Sequence, residues 1–178
     1  MALKPTIYKV NLSISDMDRN YYNDVQLTIA QHPSENNERM MARLLAYSLN
    51  AHEDLAFTRG LSSIDEPELW LKTLDDQILQ WIEVGQPEPD RLKKANTIAR
   101  EVCVYSFGKS ASTWWQLNEE VLEGFKGLKV SQFPYECMLE LNELIQRTMD
   151  LSVSITENTL YVSSAERTVE IPMTNWKM

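Results

Sequence analysis

Asp65-Glu66-Pro67-Glu68-Leu69-Trp70 and, after a polar turn, Ile78-Leu79-Gln80-Trp81-Ile82-Glu83-Val84-Gly85-Gln86-Pro87 form the stretch on which the reading of the fold turns. Residues 69–74 and 78–84 read as two strands, and Asp75-Asp76-Gln77 between them is turn chemistry for a short hairpin. The second strand is apolar enough to be buried on both faces, and Glu83 breaks that pattern. A buried carboxylate is costly unless a cation, a metal or hydrogen-bond donors compensate it, so Glu83 must have a partner. The turn decides which acid lies across from it. A three-residue loop pairs 74 with 78, 69 with 83 and 65 with 87, which puts Asp65 and Glu83 on one face; a two-residue loop brings Glu66 to Glu83 instead.

Working outward, Gly85, Pro87 and Pro89 stop the strand, and Asp90 can cap a helix whose apolar side is Leu92, Ala95, Ile98, Ala99 and Val102. On that helix Lys94 flanks the apolar side, Lys93 points away, and Arg91 lies closest to the core. Either Lys94 or Arg91 can reach back to Glu83. Upstream, Ser34 is a candidate N-cap for a helix carried by Met40, Met41, Leu44, Leu45 and Leu49 to about Glu53. Glu53 continues the row of Leu45 and Leu49, which aims it either along the buried edge or into solvent. Before it, strict alternation over 6–15 and the run 25–29 predict an antiparallel hairpin.

Downstream, 102–107 reads as a buried strand, 112–125 as a helix, 128–133 as a strand and 135–149 as a helix; 151–155 and 159–162 form a hairpin, followed by 168–171. The pattern predicts an α/β (α+β) chain: one mixed central β-sheet flanked by helices, with extra β-hairpins at the N- and C-terminal ends.

At 178 residues the chain fits one domain, 1–178, able to bury roughly 70% of its unfolded surface. Its net charge of −9 and the lack of a basic run disfavour nonspecific binding to a phosphate backbone, although bound divalent cations can reverse the sign locally. The two cysteines, Cys103 and Cys137, lie in different elements without metal-ligand spacing, which fits a reducing compartment. No leader and no long apolar run is visible, so a cytoplasmic protein without a membrane partner is expected. Gly108-Lys109-Ser110 imitates the end of a phosphate-binding loop, but Cys103 stands where its first glycine belongs. Trp114-Trp115 reads as packing against the sheet rather than as a base-stacking platform.

The segments Gly60-Leu61, Asp65-Glu66-Pro67, Leu69-Trp70, Trp81 to Pro87 and Arg91-Leu92-Lys93-Lys94-Ala95 closely resemble the bacterial YaeQ family. The resemblance extends over essentially the whole chain, through Ile7-Tyr8-Lys9, Ala51-His52-Glu53 and the C-terminal strands. That family in turn looks like a divergent member of the PD-(D/E)XK nuclease-like superfamily, whose core is a mixed sheet with flanking helices and whose catalytic groups lie on a hairpin. The resemblance implies Asp65 at the first acidic position and Glu83 at the second. Where the pattern has lysine, this chain has Gly85; Lys94 is the candidate for a migrated lysine, Gln86 a further site residue, and Glu53 the acid many members carry on a helix.

Two functions follow as expectations. One is a divalent-metal-dependent nuclease or phosphodiesterase, in which Asp65, Glu83 and Glu53 hold Mg²⁺ or Mn²⁺ and Lys94 orients the attacking water, with nucleic acid bound at the metal-bearing cleft. The other is a non-catalytic binding or regulatory protein, in contact with a nucleic-acid-processing or transcription partner, in which Glu83 and Lys94 or Arg91 form an ion pair that fixes the helix on the sheet.

Overall fold

In the computed structural model, which describes residues 3–178 apart from the side chain of Ser62, the chain runs through eleven strands and four α-helices. In order these are β1 (Thr6–Asp16), β2 (Tyr21–Gln31), α1 (Asn37–Leu49), β3 (Leu55–Phe57), β4 (Leu69–Lys72), β5 (Ile78–Val84), α2 (Pro89–Ile98) and β6 (Ala99–Ser106). They are followed by α3 (Ala111–Glu123), β7 (Leu128–Gln132), α4 (Tyr135–Leu141), β8 (Thr148–Thr156), β9 (Thr159–Ser163), β10 (Thr168–Pro172) and β11 (Thr174–Lys177).

The mixed α+β composition is as expected, but there are two sheets rather than one. The terminal hairpins do not decorate a central sheet: β1 pairs in parallel with β8, and the two hairpins merge into a five-stranded sheet of order β10-β9-β8-β1-β2. Hairpin alternation in β1 hides this second pairing, because a strand with one apolar face looks the same whether it has one neighbour or two. The middle of the chain forms a six-stranded sheet, β11-β7-β6-β5-β4-β3, in which β5, β6 and β7 are mutually parallel.

Helix α1 is buried at every position from Met40 to Ser48, the mark of a helix with protein on all sides. One apolar cluster joins it to Val10, Leu12 and Ile14 of β1, to Ile82 and Val84 of β5, and to Val153 of β8. The opposite face of the six-stranded sheet is covered by α2 and α3, with Leu92, Ala95, Trp115 and Leu122 against Trp81, Val102 and Val130. Trp115 stacks on Trp176, and Trp114 donates to Pro87 O at 3.1 Å, so the tryptophan pair serves packing.

Element ends differ from the sequence pattern where local chemistry wins. The cap of α1 is Asn36, whose Oδ1 accepts from Arg39 N–H at 2.9 Å, rather than Ser34. Helix α2 opens with Pro89 in its first turn and ends at Ile98, because Ala99 is drawn into parallel pairing with Ile78. Helix α4 stops at Leu141 and a 3₁₀ turn, Asn142–Leu144, closes it, so that Thr148 can pair with Lys9. Among the described residues no helix is long and apolar enough to cross a membrane.

A candidate acid-arginine cleft

The β4–β5 hairpin sets the site. Its register is Leu69↔Ile82, Trp70↔Trp81 and Leu71↔Gln80, then Lys72↔Ile78 after an irregularity. The turn is closed by Thr73 N–H donating to Gln77 O at 2.9 Å, with Asp76 in the left-handed region at φ 62°. The longer turn and the extra residue in β5 shift the pairing by one from a three-residue loop, so Leu69 pairs with Ile82 rather than with Glu83, and Glu68, just before β4, donates its backbone N–H to Ile82 O at 3.0 Å. Asp65 is exposed in the preceding loop, and Glu66 turns its carboxylate to Arg59 N–H at 3.1 Å.

Glu83 is 3% exposed and its partner is Arg91. Arg91 Nε donates to Oε1 at 2.7 Å, and Trp81 Nε1 donates to the same oxygen at 2.7 Å. Oε2 has no protein donor among the described residues. Burial pushes the Glu83 carboxyl above its usual 4.5, while Arg91 and Trp81 pull it back and Glu68 adds to the rise. The rest of the Arg91 guanidinium holds the loop before β4, donating to Ile64 O and to Glu66 O, each at 2.6 Å. Lys94 is exposed, and its described bond is a backbone one, Thr97 Oγ1 donating to Lys94 O at 2.7 Å; Leu92 and Ala95 are the residues α2 buries.

Glu68 is 4% exposed and is held from α1. Arg39 donates to its Oε1, and Arg43 Nε lies 3.9 Å from its Oε2 while bonding Glu35 at 2.7 and 2.8 Å. Burial likewise raises the Glu68 carboxyl above 4.5 against the pull of Arg39 and Arg43. Gly60 fits here because its φ of +53° suits glycine and because a Cβ would come within 2.8 Å of Glu68 Oε2. Three carboxylates, Glu35, Glu68 and Glu83, thus face three guanidiniums, Arg39, Arg43 and Arg91.

Four of these six, Arg39, Glu68, Glu83 and Arg91, line a cleft of about 400 Å³ together with Gln86 and Phe107 among others. It lies where the parallel strands β5 and β6 end, the usual place for ligands in open α/β sheets. Gln86 donates from Nε2 to Ser106 Oγ at 3.2 Å and to Phe107 O, which ties the rim to the end of β6. Gly85 has φ +96°, so the position where the nuclease-like pattern has lysine is one where the backbone favours glycine. Glu53 is exposed and does not line the cleft: α1 brings its first turn, with Arg39, to Glu68, whereas Glu53 lies beyond the helix's C-cap, Asn50. The helical rise alone separates those two ends by about 16 Å.

Glu83, Gln86 and Arg91 therefore meet at the cleft, whereas Asp65, Lys94 and Glu53 are exposed elsewhere. Glu68, Glu35, Arg39 and Arg43 were not anticipated. A signal existed: Arg43 sits between Met40, Met41 and Leu44 in a helix with no polar face, as anomalous there as Glu83 is in β5. Among the described residues no group of three or more His, Cys, Asp or Glu is placed to hold a metal ion. A hydrated Mg²⁺ or Mn²⁺ asks for less, one or two carboxylates with water and substrate oxygens completing the shell, and Glu83 Oε2 with Glu68 supplies that much.

A family model described as "YaeQ protein" matches residues 1–173. A protein from Salmonella typhi named "Uncharacterized protein YaeQ" is 43% identical over 178 residues, 99% of this chain and 98% of its own length. One of the same name from Escherichia coli (strain K12) is 42% identical over the same coverage. The crystal structure of a YaeQ protein from Xanthomonas axonopodis pv. citri is similar with a TM-score of 0.94 at 37% identity, covering 97% of this chain and 98% of that one. A second, from Pseudomonas syringae, gives 0.93 at 37% identity, covering 98% and 97%.

Proposed function

We propose, on the premise that the chain belongs to the YaeQ family, that its acid-arginine cleft binds a phosphodiester and hydrolyses it with Mg²⁺ or Mn²⁺ held by Glu83 and Glu68. The observation that carries the reading is a pair of buried carboxylates, Glu83 and Glu68, 3% and 4% exposed, that line the same cleft. Glu83 Oε2, which takes no protein donor among the described residues and is not sealed from solvent, is the oxygen free to meet a cation. The resemblance to the PD-(D/E)XK superfamily supports it, since acids on a hairpin of a mixed sheet with flanking helices are what that likeness implies. Glu68 then takes the place expected of Asp65, and Arg91 the place expected of Lys94.

When bound, the ion lowers the pKa of a coordinated water. The chain's own groups do the rest. Arg39 and Arg91 supply positive charge to the phosphate oxygens, and Gln86 offers an amide at the rim to orient the backbone of the substrate. Phe107 on the same wall excludes water from one side.

One observation favours a second reading. Arg91 already neutralises Glu83 and clamps residues 64–66, as a structural ion pair would, which suits a non-catalytic protein that binds a nucleic-acid-processing or transcription partner. Calorimetry with Mg²⁺ and Mn²⁺ on the wild type, Glu68→Gln, Glu83→Gln and Asp65→Ala, alongside a cleavage screen on DNA and RNA, separates them. Saturable binding that falls at least tenfold in the two Gln variants but not in Asp65→Ala supports the metal site. A wild type that binds neither ion, or binding indifferent to both Gln substitutions, removes it; binding without cleavage of any substrate leaves the second reading standing.

A further inference from the structure

The four sheet edges are not alike. Edge β3 has 3 residues, β11 has 4 and a break in register between Asn175 and Lys177, and β10 has 5 and ends on Pro172. Shortness, irregularity and proline are the devices that keep an edge from pairing with another chain. Edge β2 has none of them. Its 11 residues, YYNDVQLTIAQ, pair with β1 without a break and contain no proline, no glycine and no lysine.

The direction of its unused groups follows from the ladder. Lys9 N–H donates to Arg147 O, on the β8 side, so the backbone of Lys9 faces away from β2 and its partner Thr28 faces away from β1. By alternation Tyr22, Asp24, Gln26 and Ala30 also turn their N–H and C=O groups outward. One of these, Asp24 N–H, takes Asn23 Oδ1 at 3.0 Å for want of a strand beside it.

We propose that β2 is the contact of a two-fold symmetric dimer, the β2 strands of two copies pairing antiparallel about Gln26 so that their five-stranded sheets become one. Gln26 is the midpoint of the strand, so this register is self-complementary along its whole length. Tyr22 meets Ala30, Asp24 meets Thr28, and Gln26 meets its own copy; all are outward-facing positions, and about ten backbone hydrogen bonds form. On the core side Val25 meets Leu27 twice. Those two and Tyr21 are inward-facing yet only half-buried, so a second copy covers apolar surface that this one leaves open.

Charge agrees with a second copy as the occupant. Asp24 is the one charged residue of β2, and in this register it never meets its own kind. It lies opposite Thr28, whose hydroxyl already accepts from Lys9 Nζ at 3.0 Å, so each copy brings a cation to the other's carboxylate. The outer face, carrying Asn11, Ser13, Asp24 and Gln26, stays polar and wet across the joined sheet.

The test is mass in solution by light scattering and sedimentation on the full chain across a concentration series. The wild type is expected at twice its 20.6 kDa. Gln26→Lys places two like charges face to face at the two-fold and Gln26→Pro removes an outward N–H that β1 does not use, so both are expected at half the wild-type mass with unchanged circular dichroism. Gln26→Cys supplies a positive readout that no folding defect can imitate: a hydrogen-bonded pair holds its Cα atoms about 5.5 Å apart, within disulfide reach, so the variant is expected to cross-link on oxidation. Thr28→Cys, with its two copies roughly 13 Å apart, is not. A wild type that stays monomeric throughout the series overturns the proposal, as does a dimer that keeps its mass in Gln26→Lys and does not cross-link through Gln26→Cys.

Discussion

Arg91→Ala tests how the cleft is held together. The substitution takes from Glu83, 3% exposed, its charged donor, and from the loop before β4 two anchors at Ile64 O and Glu66 O. Removing one partner of a buried ion pair costs about 3–5 kcal/mol. Two features reduce that figure: the Arg91 side chain is 28% exposed and therefore partly screened, and Trp81 Nε1 still donates to Oε1 at 2.7 Å. The expected loss is about 2–3 kcal/mol, which for a chain of this size lowers Tm by roughly 5–10 °C. Urea unfolding followed by tryptophan fluorescence reads it directly, since Trp81 lies against the pair. Adding Glu83→Gln removes the stranded charge but keeps an acceptor for Trp81, so the double variant is expected to recover about half of the loss. The deficit of the single variant also shrinks as pH falls, because without Arg91 the Glu83 carboxyl rises further and takes its proton sooner. A single variant within about 0.5 kcal/mol of wild type, or a double variant less stable than the single, would refute the account of Glu83 as a charge held by Arg91.

The other predictions concern the same network and its surroundings. Glu68 and Glu83 have folded-state pKa values raised above 4.5 by burial, so each favours the fold while protonated and loses that contribution as pH rises through its folded value; Glu68→Gln and Glu83→Gln should flatten the decline in urea midpoint above about pH 4.5. Glu101 behaves in the opposite sense: burial works to raise it, but bonds from Lys129 and Gln80 outweigh that and hold it below 4.5, so its contribution is present above that value and lost as pH falls, and Glu101→Gln should remove this acid-side loss. Gly60→Ala forces a Cβ to 2.8 Å from Glu68 Oε2 at a φ of +53° and should cost about 1–3 kcal/mol in the same assay. Burial pushes the Cys103 thiol up, so a thiol reagent at neutral pH should modify Cys137 first and Cys103 only as fast as the chain unfolds, read by mass spectrometry of the peptides.

Much of the architecture was legible because periodicity reports burial directly. The strand 78–84, the helix through Met40 to Leu49 and the hairpins at both ends follow from which positions are apolar. Periodicity does not report partners. The parallel pairing of β1 with β8 joins residues more than a hundred positions apart, and nothing local in either strand names the other. The site shows the same division. That Glu83 needed a cation was readable from its apolar neighbours, and Arg91 was one of the two candidates. Which acid shares the cleft with Glu83 was not readable, because it depends on one extra residue near the turn, and that residue moves the partner of Leu69 from Glu83 to Ile82. Arg43 could have been found by the reasoning applied to Glu83. A guanidinium in a helix buried on every face needs an acid, and Glu68 directly precedes the apolar strand.

The balance of charge at the cleft bears on how the proposed chemistry would begin. Two guanidiniums, Arg39 and Arg91, against two carboxylates, Glu68 and Glu83, leave the cleft neutral. A dication entering alone meets arginines that repel it, and a phosphodiester entering alone meets two buried carboxylates that do the same. Bound together, each would supply what the other lacks: Glu68 and Glu83 would hold the cation, and Arg39 and Arg91 would hold the phosphate oxygens. Arg91 is the residue through which the exchange passes, since its guanidinium can turn from Glu83 toward a phosphate only when another positive charge has replaced it. On the proposed function, metal and substrate therefore bind cooperatively, and linkage requires the effect to be reciprocal: a non-hydrolysable phosphodiester tightens Mg²⁺ binding by the same factor by which Mg²⁺ tightens the phosphodiester. In Arg91→Ala the repulsion between metal and cleft is weaker, so Mg²⁺ alone binds more tightly than in the wild type and the coupling falls. Calorimetry of each ligand with and without the other measures both factors, and a coupling unchanged by loss of Arg91 would place the exchange somewhere other than at Glu83.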